Sequence, residues 1–348
     1  MDLRRLLNID LPLIQAPMAG VQGSALAIAV SQAGGLGSLP CAMLSADAMR
    51  AELAAIRAAT DRPFNVNFFC HDQPPADAAR EAAWRARLAP YHREFGIDPA
   101  AIPAGPGRAP FSAEAVDVLE AFRPPVVSFH FGLPAPGLLA RVKGWGATVL
   151  SSATTVDEAL WLEAHGADVV IAQGAEAGGH RGMFLTGDPA TQVGLFALLP
   201  QVVRAVKVPV VAAGGVADAA GVRAAMALGA AGVQIGTAWL LCPEATTGAV
   251  HRAALASPAA RETAITNVFT GRPARGIVNR LIREVGPISA DAPAFPHATG
   301  AVAPLRAKAE AAGSGEFTSM WAGQNVSGCR AVPAAELVRG FAAGFAGT

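Results

Sequence analysis

The ten residues QGAEAGGHRG, Gln173 to Gly182, place a glutamate, a histidine and an arginine among four glycines, directly after the apolar run DVVIA. An imidazole just past a strand end, on backbone that carries little side-chain bulk, suits a base or hydrogen-bond donor working near neutral pH. His180 is that residue; its bland alternative is a loop histidine capping backbone groups. Arg181 is a candidate anion anchor or a solvated loop arginine, and Glu176 is better suited to orienting its own loop than to acting as an acid. A second histidine, His130 in VVSFHFG, sits between phenylalanines. It reads equally as an active-site group or as a satisfied interior histidine.

Two glycine pairs accompany the histidines. Gly214-Gly215 ends VPVVAAGG and Gly236-Thr237 follows GVQI. Glycine lets backbone N–H groups approach phosphate oxygens that a Cβ would keep away, and the Thr237 hydroxyl adds a donor. Each pair alone could simply make a tight turn; two at consecutive strand ends point to a phosphate. Neutral amides, Asn67 and Gln173, stand at other strand ends, and Asn65 shares a strand face with Asn67.

Absences narrow the chemistry. The three lysines, Lys143, Lys207 and Lys308, fall in helical, pre-strand and C-terminal positions, so none suits a Schiff base at a strand end. Only Glu176 accompanies the two histidines, so no metal site is expected. The four cysteines are scattered without a C-x-x-C pair and read as free thiols. A phosphate anchor, amides for a flat heterocycle and two imidazoles fit flavin mononucleotide, FMN, whose ring would carry the redox chemistry.

The elements that must position these groups alternate. Eight β-type runs (PLIQAPMAG, LGSLP, PFNVNFF, VVSFHFG, ATVLSSAT, DVVIAQG, VPVVAAGG and GVQIGTAWL) are separated by Ala-rich helical stretches. Several of these open on Ser, Thr or Asp and close on Gly, as helix ends prefer. Such repetition predicts an α/β fold, a (β/α)8 TIM barrel, with an open doubly wound sheet as the alternative. The barrel is expected over 1–256, with an insertion at 71–111. A mainly helical cap on the substrate side, with no further strand, is expected over 257–330, and a C-terminal helix over 331–348.

Hydrophobic residues make up 52% of the 348 and charged residues 16%, which allows a large core and argues against disorder. The formal net charge of zero gives no footprint for nucleic acid or an anionic membrane. No apolar run reaches the ~20 residues of a membrane span. With no secretory signal at the start, a cytoplasmic enzyme without nucleic-acid or membrane partners is expected.

LPLIQAPMAG, RPFNVNFFCH, VVSFHFGLP, AQGAEAGGHRG, VPVVAAGGVAD, GVQIGTAWLLCPEA and FTSMWAGQ together resemble the FMN-dependent nitronate monooxygenases, formerly called 2-nitropropane dioxygenases. FHFGLP and EAGGHRG are the most specific pieces. The resemblance implies that Asn67, Gln173, Gly178, Gly179, Gly214, Gly215, Gln234, Ile235, Gly236 and Thr237 bind FMN. Pro17, Met18 and Ala19 would line the flavin. His180 would be the catalytic histidine and His130 a second one. It implies oxidation of an anionic alkyl nitronate, such as propionate 3-nitronate, by O2 to a carbonyl compound and nitrite. One electron at a time would pass to FMN, without NAD(P)H.

The resemblance also has a gap. Relatives place tyrosines and a C-terminal tyrosine–lysine pair around the substrate, whereas Tyr91 is the only tyrosine here and FPHATGAVAPLR holds neither residue. His297 and Thr299, with Arg181, become the substrate-contact candidates. Three other readings share many of the same signals: an NAD(P)H-dependent FMN reductase of quinones or enoyl thioesters, a flavin-free barrel lyase or isomerase, and a non-catalytic phosphate-ligand binder.

Overall fold

A computed structural model describes residues 2–98, 102 and 108–346. Eight short parallel strands carry the fold: β1 (Leu13–Gln15), β2 (Gly37–Pro40), β3 (Phe64–Phe69), β4 (Val126–His130), β5 (Thr148–Ala153), β6 (Val169–Gln173), β8 (Val210–Ala213) and β9 (Gly232–Ile235). Their order is β1-β9-β8-β6-β5-β4-β3-β2, and a bridge between Ile14 and Leu36 joins the ends into a closed (β/α)8 barrel. All eight coincide with the apolar runs of the sequence.

The helices between them start where the caps predict. Ser45, Ser112, Thr155 and Asp218 each accept a hydrogen bond from a backbone N–H in the first turn that follows. The strands bury both faces, outward against the helices and inward against each other. Part of the interior is polar. Asn65 Nδ2 donates to Ser38 Oγ at 3.0 Å and to Ser128 Oγ at 2.9 Å, and Gln15 Oε1 accepts from the Ser38 N–H at 2.9 Å. Helix Ser24–Gln32 lies so close to β2 that a Cβ on Gly37 would come within 1.9 Å of the Ala27 carbonyl oxygen.

Three features depart from the linear reading. First, 257–330 is not without strands: β10 (Thr263–Thr266) pairs antiparallel with β11 (Ala274–Ile277). Strand β11 in turn pairs with β7 (Gly179–His180), in register Ala274↔His180 and Arg275↔Gly179. TAIT and ARGI are four residues each, and ARGI carries a charge and a glycine. No local alternation marks them as strands; their partners do.

Second, helix Ala78–Glu94 in the insertion builds a core of its own with the later chain. Trp84, Leu88 and Tyr91 pack with Leu281, Ile282, Val302 and Leu305. Trp84 Nε1 donates to the Ala298 carbonyl at 3.1 Å, and Arg280 pairs with Glu94 at 2.7 Å.

Third, the C-terminal helix Ala334–Ala342 is no appendage. It packs against helices Ser24–Gln32 and Ala219–Ala227, with Phe341 5.5 Å from the Trp239 ring. It takes the place of the helix due after β9. The chain leaves the barrel after its last strand, builds the cap and returns to complete the outer ring, so the barrel is not finished at 256. A discontinuity of that kind has no signature in local periodicity.

Candidate active site

His180 emerges from β7 with its ring enclosed by aromatic side chains. Phe295 lies 5.4 Å away, Trp321 5.5 Å, Phe131 6.0 Å and Phe69 6.2 Å, measured between ring centres. Burial therefore holds its pKa well below the usual histidine value, seconded by the positive charges of Arg108 and Arg272. The imidazole is neutral at pH 7. Its Nε2 meets Thr270 Oγ1 at 2.9 Å, while that hydroxyl reaches the Arg272 carbonyl at 3.4 Å. A hydroxyl that donates onward to a carbonyl must accept from the ring, which assigns the proton to Nε2 and leaves the Nδ1 lone pair for chemistry.

The loop beneath is tied by the neighbouring candidates. Gln173 spans it, donating from Nε2 to the His180 carbonyl at 3.1 Å and accepting from the Gly182 N–H at 2.8 Å. His130 Nε2 donates to the same carbonyl at 3.0 Å, and its Nδ1 meets Ser152 Oγ at 3.1 Å. Both ring nitrogens of His130 are thus engaged, and burial pushes its pKa down to about 4. It lines the cavity as a neutral buttress of the His180 backbone.

Arg181 is placed elsewhere. Successive residues of an extended segment face opposite ways. With His180 turned to the cavity, the Arg181 guanidinium is fully buried behind the loop. It donates to Gln192 Oε1 at 2.7 Å and to the Gln173 carbonyl at 2.9 Å. Those bonds use it to lock the loop, and it is absent from the cavity wall. Glu176 does orient its loop, its carboxylate accepting from the Leu195 N–H at 2.8 and 2.9 Å at the start of helix Leu195–Ala205. His297 and Thr299 also lie off this wall. His297 Nε2 donates to the Pro74 carbonyl at 3.2 Å and Thr299 Oγ1 to the Phe269 carbonyl at 3.2 Å.

One cavity at the strand ends collects Pro17, Met18, Ala19, Asn67, Gln173, Gly178, Gly179, Gly214, Gly215, Gln234, Ile235, Gly236 and Thr237 with both histidines. Gly179, Gly214 and Gly215 have φ of +75°, +115° and +72°, a region that favours glycine. A Cβ on Gly178 would come within 2.5 Å of the Ala322 carbonyl carbon, so the backbone at Ala322 packs directly against the loop. Thr237 Oγ1 accepts from the Gly323 N–H at 2.9 Å, which leaves its own proton to donate. Gln234 Oε1 is buried with no partner. Backbone cradle, free hydroxyl and orphaned amide oxygen are the donor and acceptor set that a phosphate and a flat polar ring need.

Sequence reasoning did not single out several residues at this wall. Arg108 comes from the insertion. Trp321 comes from beyond the barrel strands, as does Thr270, which reaches the site through its bond to His180. His251, on helix Ala249–Leu255, lines the cavity with Nε2 unpartnered and its pKa pushed by burial to about 4. Only Trp321 had a signal, within FTSMWAGQ.

The family model for nitronate monooxygenase matches residues 2–344. The chain belongs to the nitronate monooxygenase family. A nitronate monooxygenase of Pseudomonas aeruginosa is 44% identical over 344 residues, 96% of each chain. One from Paraburkholderia phytofirmans is 44% identical over 337 residues, 96% of this chain and 92% of its own. Among solved structures, a nitroalkane oxidase from Streptomyces ansochromogenes is similar with a TM-score of 0.90 and 40% identity, over 99% of this chain and 97% of its own. This nitronate monooxygenase family member is therefore an oxidoreductase of a flavin-dependent family that acts on small molecules. Among its described residues no helix is long and apolar enough to cross a membrane.

Proposed function

We propose that the chain binds FMN in the glycine-lined cavity and oxidises an alkyl nitronate with O2 to a carbonyl compound and nitrite. The observation that carries this reading is His180, a neutral base enclosed by aromatic rings, with the positive charges of Arg108 and Arg272 acting on it. Such a site favours an anion and has no use for a cationic substrate. Gly214, Gly215, Gly236 and Thr237 would hold the phosphate, and Asn67 and Gln234 the ring edge. FMN, when bound, supplies the acceptor for the substrate's electrons and the route to oxygen.

The chain's own residues do the rest. His130, Gln173 and Arg181 fix the backbone that carries His180. Thr270 fixes its tautomer, which directs the Nδ1 lone pair to the substrate. The aromatic ring cluster excludes water. For a neutral nitroalkane Nδ1 is the atom that would take the carbon-bound proton; a nitronate has already lost it.

Anaerobic mixing of the purified protein with propionate 3-nitronate, without NAD(P)H, tests the reading. The expected result is a change in flavin absorbance, then nitrite when air is admitted. A yellow protein inert to nitronate but bleached by NADH would instead be a reductase, and a colourless protein that does not take up FMN would overturn the flavin assignment.

A further inference from the structure

The functional reading leaves a second cavity unused. It lies between the segment after β2 and the cap, with an apolar lining of Met43, Leu44 and Met49 on one side and Phe269, Val302 and Phe317 on the other, and with Glu114 and Arg306 also on its wall. Thr270, which holds His180, and Thr299 also border it. Among the described residues, Arg108 and Ser319 line both cavities, so Arg108 is the one charged group common to the two.

Arg108 has no anion of its own. Among the described residues its guanidinium makes no ion pair, and its contact is the face of Phe295, 5.6 Å from the ring centre. The preceding residues 99–107, PAAIPAGPG, contain no carboxylate. Burial lowers its pKa, and the charge that adds to this effect is another cation, Arg306. Its backbone is nevertheless fixed: His71 Nε2 donates to the Arg108 carbonyl at 2.8 Å. Arg108 is half-buried at the wall of the His180 cavity, and a partly desolvated guanidinium without a counterion gains from a ligand that supplies one. Its fork of donors matches two oxygens on one atom, the geometry a nitronate shares with a carboxylate.

We infer that Arg108 is the substrate-anion anchor, and that the apolar lining of the second cavity takes the substrate's alkyl chain, making the site selective for nitronates with a tail of several carbons. The inference rests on the nitronate reading for the identity of the anion.

Straight-chain carboxylates from acetate to octanoate are inert probes of both parts, with binding to the flavin-loaded full chain measured by calorimetry. Affinity is expected to rise about fourfold per methylene, the equivalent of ~0.8 kcal/mol per buried CH2, up to about six carbons. Arg108→Met should weaken hexanoate binding by about tenfold or more, the scale of a lost charge-assisted hydrogen bond. Arg108→Lys should recover part of that loss. Val302→Trp, which fills the cavity, should flatten the chain-length dependence.

With flavin content and circular dichroism matching the parent, hexanoate affinity indifferent to Arg108→Met overturns the anchor. Affinity indifferent to chain length overturns the tail site. Kinetics with ethyl, butyl and hexyl nitronate separate this inference from the functional reading. Arg108-dependent carboxylate binding with no nitronate turnover sinks the reading and leaves the anion anchor standing. Nitronate turnover whose KM ignores both Arg108 and chain length does the reverse.

Discussion

At the scale of single residues, what matters about His180 is which nitrogen is free. Its Nε2 is engaged by Thr270 and its Nδ1 is left to the cavity. His180→Asn removes that lone pair while its backbone carbonyl still accepts from Gln173 and His130. It should therefore keep its flavin and lose turnover by ~10²-fold or more, the scale of a general acid–base group. Flavin content by absorbance, alongside kcat with a nitronate, checks both halves; unchanged kcat would refute the role. Gly236→Val tests the cradle instead. A Cβ there would lie 3.4 Å from Ala16 Cβ and 3.8 Å from Met18 Sδ, ordinary contact distances, so the protein itself tolerates the first added atom. The expected loss is of bound flavin, about tenfold or more in Kd, with the thermal midpoint of the flavin-free protein little changed. Retained affinity would mean the phosphate sits elsewhere. That the histidine and the glycines would meet in one cavity was legible, because each follows a strand end marked by local spacing. The direction of Arg181 was not, since adjacency to His180 says nothing about which side of the backbone each side chain takes. Arg108 and Thr270 were invisible because their position depends on the folding of distant segments.

Elements show the same division. The eight barrel strands could be read because each is buried on both faces and bounded by turn residues. Strands β7, β10 and β11 could not, because each is held by its partners rather than its pattern. Together they form the sheet that joins the His180 loop to the cap. Helix Ala78–Glu94 anchors that cap through Trp84, which is 1% exposed and donates to the Ala298 carbonyl. Trp84→Ala should cost about 3–5 kcal/mol within the cap, as a truncated buried aromatic does. The Trp84 core shares no side chain with the barrel strands. The expected signature is therefore faster hydrogen exchange over 78–94 and 299–311, with β3 to β6 protected as before. Uniformly faster exchange throughout would show that cap and barrel unfold as one unit.

For the whole molecule, the buried histidines set an acid limit. Burial lowers the pKa of His130 and His251 to about 4 from an ordinary 6.5, and it depresses His71 and His180 in the same direction. Folded below unfolded means that the unfolded chain binds the extra protons. Stability is thus fully present above pH 6.5 and is lost as the pH falls toward the folded values. Each of the two resolved shifts corresponds to roughly 3 kcal/mol over that window, against a total stability of about 5–15 kcal/mol for a typical domain. The exposed carboxylates paired with arginine, Glu94 and Glu120, have pKa values lowered from 4.5, so their contribution is lost only at still lower pH. The interval from pH 6.5 to 5 therefore belongs to the histidines. Urea midpoints should drop steadily across it, accompanied by net proton uptake on unfolding. His251→Gln should shallow the slope, since helix Ala249–Leu255 would no longer bury a titrating ring. A midpoint constant from pH 7 to 5 would mean that these rings are solvated, and with that the dry setting argued for His180 would fall.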